Sequence, residues 1–137
     1  MQIIQQASIS HVFALELVTQ SVKQAQTLQI AISACVVDVH GRVKAKVTMD
    51  GAALIADELV EKKAKTALLG LSTADFAQAV KDLPDISQSM LQLQPITLLG
   101  GGYPLFDNGV LVGAFAVGGA TVEQDMQCAE AVLALVK

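Results

Sequence analysis

In this chain of 137 residues, two histidines and one tyrosine are the side chains best suited to hold a transition metal. An imidazole nitrogen suits iron, zinc or copper, and a phenolate suits ferric iron. His11 falls in the first turn of an expected helix, off its apolar stripe. There it is either a solvated histidine or a ligand at a junction between subunits. His40 falls at an expected hairpin tip, normally a solvated place, and Tyr103 follows three consecutive glycines.

Carboxylates give a second option. Glu58 and Glu61 are three apart, so on a helix they share a face and together suit a hard cation. The same residues also precede Lys62 and Lys65 by four, the favourable order for helix ion pairs of about 0.2–0.5 kcal/mol each. Two glycine clusters supply a third option, because glycine permits positive φ and close backbone approach. Gly100, Gly101 and Gly102 precede Tyr103-Pro104, while Gly118 and Gly119 run into Ala120-Thr121 and a helix. The second junction presents free N–H groups at a helix start, able to hold an anionic group. A tight strand-to-helix turn explains the same residues, and the acids Glu123 and Asp125 compete for that field.

Catalytic constellations are scarce. Asp38 and Asp50 stand at opposite ends of one expected strand, and Thr121 beside Asp125 is already explained as a helix cap. No hydrolytic triad or metal-catalysis cluster is legible. Gly100-Gly101-Gly102 lacks the lysine and the following helix of a phosphate loop.

Composition bounds the rest. Hydrophobic residues make up 53% and charged residues only 16%, which fits one globular domain spanning residues 1–137. So little charged surface implies that apolar area faces another subunit, and a homo-oligomer is expected. A net charge of −4 without any basic stripe excludes a nucleic-acid surface. The longest uncharged run, Ile86 to Phe106, is too polar and too rich in glycine for a membrane span. The first residues lack the basic flank and apolar core of a signal peptide, so a cytoplasmic location is expected. Cys35 and Cys128 lie far apart in apolar segments and read as buried free thiols.

These side chains must be positioned by elements with clear periodicity. Ser8 is the expected cap of a first helix with apolar residues at three- and four-residue steps. Ile30 to Val37 reads as a central strand, and Asp38-Val39-His40-Gly41 as a turn. Arg42 to Met49 alternates as a half-exposed strand. A second helix is expected from Ala53 to Leu69, closed by Gly70. A short third helix follows with Thr73 as cap, and Asp85 to Leu91 forms another turn or two beyond Pro84. Strands are then expected at Ile96–Leu99, Tyr103–Asp107 and Val110–Val117, the last two joined at Asn108-Gly109. Thr121 and Gln124 form a capping box for the final helix. The order α-ββ-αα-βββ-α predicts an α+β fold, a five-stranded antiparallel sheet with packed helices.

An ordered set of short motifs resembles the GlcG/HbpS family along nearly the whole chain. These are Val36-Val37-Asp38-Val39-His40-Gly41, Met49 to Ala52, Lys63 to Ala67 and Gly101 to Pro104. The series ends with Val112, Gly113, Gly119, Ala120, Gln124 and Asp125. The resemblance implies a profilin-like fold and assembly into tetramers or octamers. It implies haem binding in some members, and it extends to domains attached to corrinoid adenosyltransferases. Members from glycolate operons imply instead an enzyme or accessory protein acting on a small hydroxy acid. One haem-binding branch places an iron ion on a Glu-x-x-Glu helix motif, which Glu58 and Glu61 match.

On that resemblance, the expected function is non-enzymatic binding of haem or a related tetrapyrrole. His11 and Tyr103 are the candidate ligands, and Gly101, Gly102, Gly118, Gly119 and Thr121 the candidate backbone surface. Glu58 and Glu61 are the candidate iron site. An oligomeric structural subunit without a ligand of its own is the third alternative.

Overall fold

The computed structural model describes residues 1–136; Lys137, the last position of the expected domain, lies outside the described residues. Four antiparallel strands form one sheet, in which the second strand of the chain lies beside the first, the first beside the fourth and the fourth beside the third. The strands are β1 (Ser33–Asp38), β2 (Val43–Thr48), β3 (Gly102–Asp107) and β4 (Val110–Gly118). The helices are α1 (His11–Thr27), α2 (Ala56–Ala67), α3 (Thr73–Val80), α4 (Pro84–Leu91) and α5 (Val122–Val136).

Period-two alternation divides the sheet's two faces between different helices. Ala34 and Val36 of β1, with Phe115 and Val117 of β4, point to the layer formed by α1 and α5. Cys35 and Val37, with Ala114 and Ala116, point to α2 instead. Both central strands are therefore apolar on both faces, as helices covering the two sides require. The small residues Ala114 and Ala116 meet Val60, Ala64 and Ala67 of α2. Alanine on both partners allows the helix to lie close to the sheet.

The strand expected at Ile96–Leu99 does not form, so the sheet has four strands rather than five. Its backbone is used otherwise. The Thr97 N–H donates to Thr66 Oγ1 at 3.0 Å, and the Thr66 hydroxyl donates to the Pro95 carbonyl at 2.9 Å. The edge of β3 that a fifth strand would need is also blunted. The Gly102 N–H donates to Thr73 Oγ1 at 2.9 Å, and Pro104 has no N–H to offer.

Several boundaries move for similar reasons. Ser10, not Ser8, caps α1 by accepting from the Phe13 N–H at 3.2 Å. Ser8 instead accepts from the Val39 N–H at 3.3 Å and ties the entering chain to the sheet. Ser72, not Thr73, caps α3 by accepting from the Asp75 N–H, which frees Thr73 for Gly102. β1 begins at Ser33 rather than Ile30, after Gln29 turns the chain with φ 56°. α2 begins at Ala56 rather than Ala53, leaving Leu54 and Ile55 in solvent. The Asn108-Gly109 turn forms as expected, with both residues at positive φ. So does the capping box, Thr121 N–H to Gln124 Oε1 at 3.1 Å and Gln124 N–H to Thr121 Oγ1 at 3.2 Å.

Candidate functional site

His11 opens α1, where no acid occupies the first turn. The side chain is exposed, and so are Val12 (67%) and Leu15 (54%) beside it. Residues four apart share a helix face, so His11 and Leu15 form one patch with Val12 at its border. Glu16, four after Val12, is exposed at the far edge of this patch, so the imidazole and Leu15 lie together with an acid beyond Val12. Thr19 continues the exposed side two turns on.

Tyr103 lies elsewhere, on β3, and its hydroxyl donates to Glu130 Oε1 of α5 at 2.8 Å. Burial pushes its pKa up, and the hydrogen bond to Glu130 and the charges of Glu130 and Asp75 push it further. The phenol therefore keeps its proton, which opposes a role as an anionic oxygen ligand. His40 sits on the β1–β2 turn and lines a hollow that also contains Glu58, Glu61, Lys62 and Lys65.

Both acids of the expected cation site are engaged with lysines. Glu61 Oε1 takes Lys46 Nζ at 2.8 Å, and Glu61 Oε2 lies 3.8 Å from Lys65 Nζ. Glu58 faces Lys62 at 4.0 Å. Lys46 also reaches Asp57 at 2.6 Å. Desolvation acts to lower the Lys46 pKa, but hydrogen bonds to Asp57 and Glu61 outweigh it and raise the pKa above its ordinary value. Among the described residues, no group of three or more His, Cys, Asp or Glu side chains is placed to hold a metal ion.

The two glycine clusters do come together, but their common space is filled from inside the chain. Lys63 extends from α2 with 1% of its side chain exposed. Its Nζ donates to Asp125 Oδ2 at 2.9 Å and to the Val117 carbonyl at 3.1 Å. Asp125 Oδ1 in turn accepts the Ala120 N–H at 3.0 Å. Gly101, at φ 123°, leaves room for this ammonium; a Cβ there would stand 3.0 Å from Lys63 Nζ and 2.6 Å from the Val117 oxygen. A Cβ on Gly102 would overlap the Lys63 carbonyl. Gly118 is buried over the same lysine, and Gly119 packs against Ala56, where a Cβ would stand 3.0 Å from that alanine's Cβ. Thr121 is exposed and occupied with the capping box.

This ion pair is the feature that residue-by-residue reading of the sequence missed. Lys63 falls on the apolar face of α2, three after Val60 and four before Ala67. Asp125 likewise precedes Cys128, Ala129 and Val132 by three, four and seven. One basic and one acidic residue, each out of place on a buried stripe, were the available signal. Asp125 reads locally as a first-turn acid facing solvent, which hides its role. The cysteines match expectation: both are buried and free, and burial pushes the Cys35 thiol up to about 12 and the Cys128 thiol up to about 11.

Comparison with known proteins rests on this framework. The chain is 34% identical to the corrinoid adenosyltransferase PduO of Salmonella typhimurium over 130 residues, which covers 88% of the chain. It spans only 37% of the length of that relative. Among solved structures, the complex of PduOC with haem aligns with a TM-score of 0.87 and 29% identity, over 96% of both chains. HbpS aligns with a TM-score of 0.90 and 25% identity, over 99% of this chain and 95% of its own. The profile described as "Haem degrading protein HbpS-like" matches residues 9–134, a span that holds every strand, His11, and both members of the buried pair. With sheet, helices and sequence all in agreement along that span, the chain belongs to the HbpS-like family.

Proposed function

We propose that this protein binds haem or a related tetrapyrrole on the exposed face of α1, without catalysing a reaction of its own. His11 would hold the iron, and Val12 and Leu15 would form the apolar platform beside it. The single observation that carries this reading is the exposure of these three residues together on one helix. One helix face covers only one side of a flat ring, so a second copy of the chain closes the other side in a homo-oligomer. Tetramers or octamers satisfy that requirement. The relative solved with haem supports the ligand class.

The residues fit the group on chemical grounds. An imidazole is a standard axial donor to haem iron, and α1 presents the positive end of its dipole with no acid in the first turn. That field favours the anionic propionates of a porphyrin. When bound, haem supplies a redox-active iron. His11 would hold the metal, while Val12 and Leu15 would exclude water from one side of the group. The buried Lys63–Asp125 pair is sealed from solvent and ties α2 to α5 and the end of β4. An iron ion on Glu58 and Glu61 would have to displace Lys46 from Glu61, so that site ranks below the α1 face.

Haemin titration tests the reading. A Soret band is expected to develop with the wild type and with His40→Ala, and to be lost or strongly shifted with His11→Ala. Native mass measurement is expected to show haem only in multimers. A His11→Ala protein that binds haemin like the wild type would refute the assignment.

A further inference from the structure

A second concavity, of about 1110 Å³, lies along β3 between the start of α1, the start of α3 and the outer side of α5. Phe13 lines it while His11 does not; two residues along a helix are about 200° apart, so the groove lies on the other side of α1 from the proposed haem face. Its floor is apolar, built from Phe13, Pro104, Leu105, Leu133 and Val136. Among the described residues, the charged ones lining it are Asp75, Asp107 and Glu130, all three exposed, with no Lys, Arg or His beside them. Tyr103 binds Glu130 through one carboxylate oxygen at 2.8 Å, which fixes that group at the groove, and among the described residues no group pairs with its second oxygen.

These observations select the ligand class. A porphyrin with two propionates would meet carboxylates of its own sign. An extended peptide adding to β3 would find the Gly102 N–H already taken by Thr73 and no N–H at Pro104, so strand addition has little to hold. What remains complementary is an apolar body with a positive head. We propose that this groove binds a small hydrophobic organic cation, its apolar body against Pro104 and Leu105 and its ammonium head at Glu130 and Asp75. The site is independent of the α1 face.

Tyr103 provides the readout, because it is the only tyrosine and the chain has no tryptophan. Octylammonium and octanoate, which share a chain and differ in head charge, are titrated against the full chain while Tyr103 emission is followed. Octylammonium is expected to give a saturable change and octanoate to bind at least about tenfold more weakly, a difference of about 1.4 kcal/mol. Glu130→Gln and Asp75→Asn, both on exposed side chains, are expected to weaken octylammonium severalfold. Equal response to both probes, no saturable response, or unchanged affinity in both variants would overturn the proposal. Haemin titration of the same variants separates the two sites: its Soret band is expected to be unaffected even if the amine site fails.

Discussion

Lys63 Nζ lies 2.9 Å from Asp125 Oδ2 with both side chains at most 2% exposed, which joins α2 to α5 through the end of β4. Removing one partner leaves the other charged and desolvated. Lys63→Met or Asp125→Asn alone is therefore expected to cost about 3–5 kcal/mol in urea unfolding. The double substitution should cost clearly less than the sum, because no unpaired charge is left behind. Additive losses would mean that the two residues act separately.

Glycines around this pair serve different purposes, and alanine substitution separates them. Gly102→Ala drives a Cβ into the Lys63 backbone, which a packed sheet and helix relieve only by moving apart. A cost at or above about 1–3 kcal/mol is expected, with an altered Tyr103 emission from the neighbouring position. At Gly109 a Cβ meets nothing within 4 Å, and only its φ of 79° opposes alanine. Gly109→Ala should cost about 1–2 kcal/mol and leave the Tyr103 signal in place. Equal spectral effects would show that the crowding at Gly102 is not what holds β3.

Most of the fold is legible from local rules because those rules act locally. The alternation of Arg42 to Met49, the Asn108-Gly109 turn and the Thr121–Gln124 box each involve neighbours in sequence, and each forms. Several of the departures are decided across long separations. Ser8 gives up its cap to meet Val39, Thr73 gives up its cap to meet Gly102, and Thr66 occupies the backbone of Pro95 and Thr97. A hydroxyl that suits a helix cap suits any other orphan N–H equally well, and sequence spacing does not tell them apart. The same holds for the candidate site. His11 was recognisable as a donor, whereas the glycine clusters signalled close approach without revealing that Lys63 was the group approaching.

The β1–β2 turn gives the protein a predictable response to acid. Asp38 is 2% exposed. Its Oδ1 accepts the His40 N–H at 2.9 Å and the Arg42 N–H at 3.0 Å, while Oδ2 takes Arg42 Nε at 2.9 Å. Burial acts to raise the Asp38 pKa, but the backbone N–H groups of Arg42 and His40 and the Arg42 guanidinium outweigh it. The carboxyl is held below its ordinary 3.8. A carboxyl with a depressed folded pKa contributes stability that is fully present above its unfolded value and is lost as pH falls through the folded one. Asp38→Asn keeps one acceptor oxygen but loses the charge, and should cost about 1.5–3 kcal/mol at pH 7. Because protonation performs the same loss on the wild type, the gap between the two proteins should narrow as pH drops below 3.8. Urea midpoints compared at neutral pH and at successive steps below that value measure the gap directly. A gap as wide in acid as at neutrality would assign the effect to shape and hydrogen-bond count, with no share for the carboxylate charge.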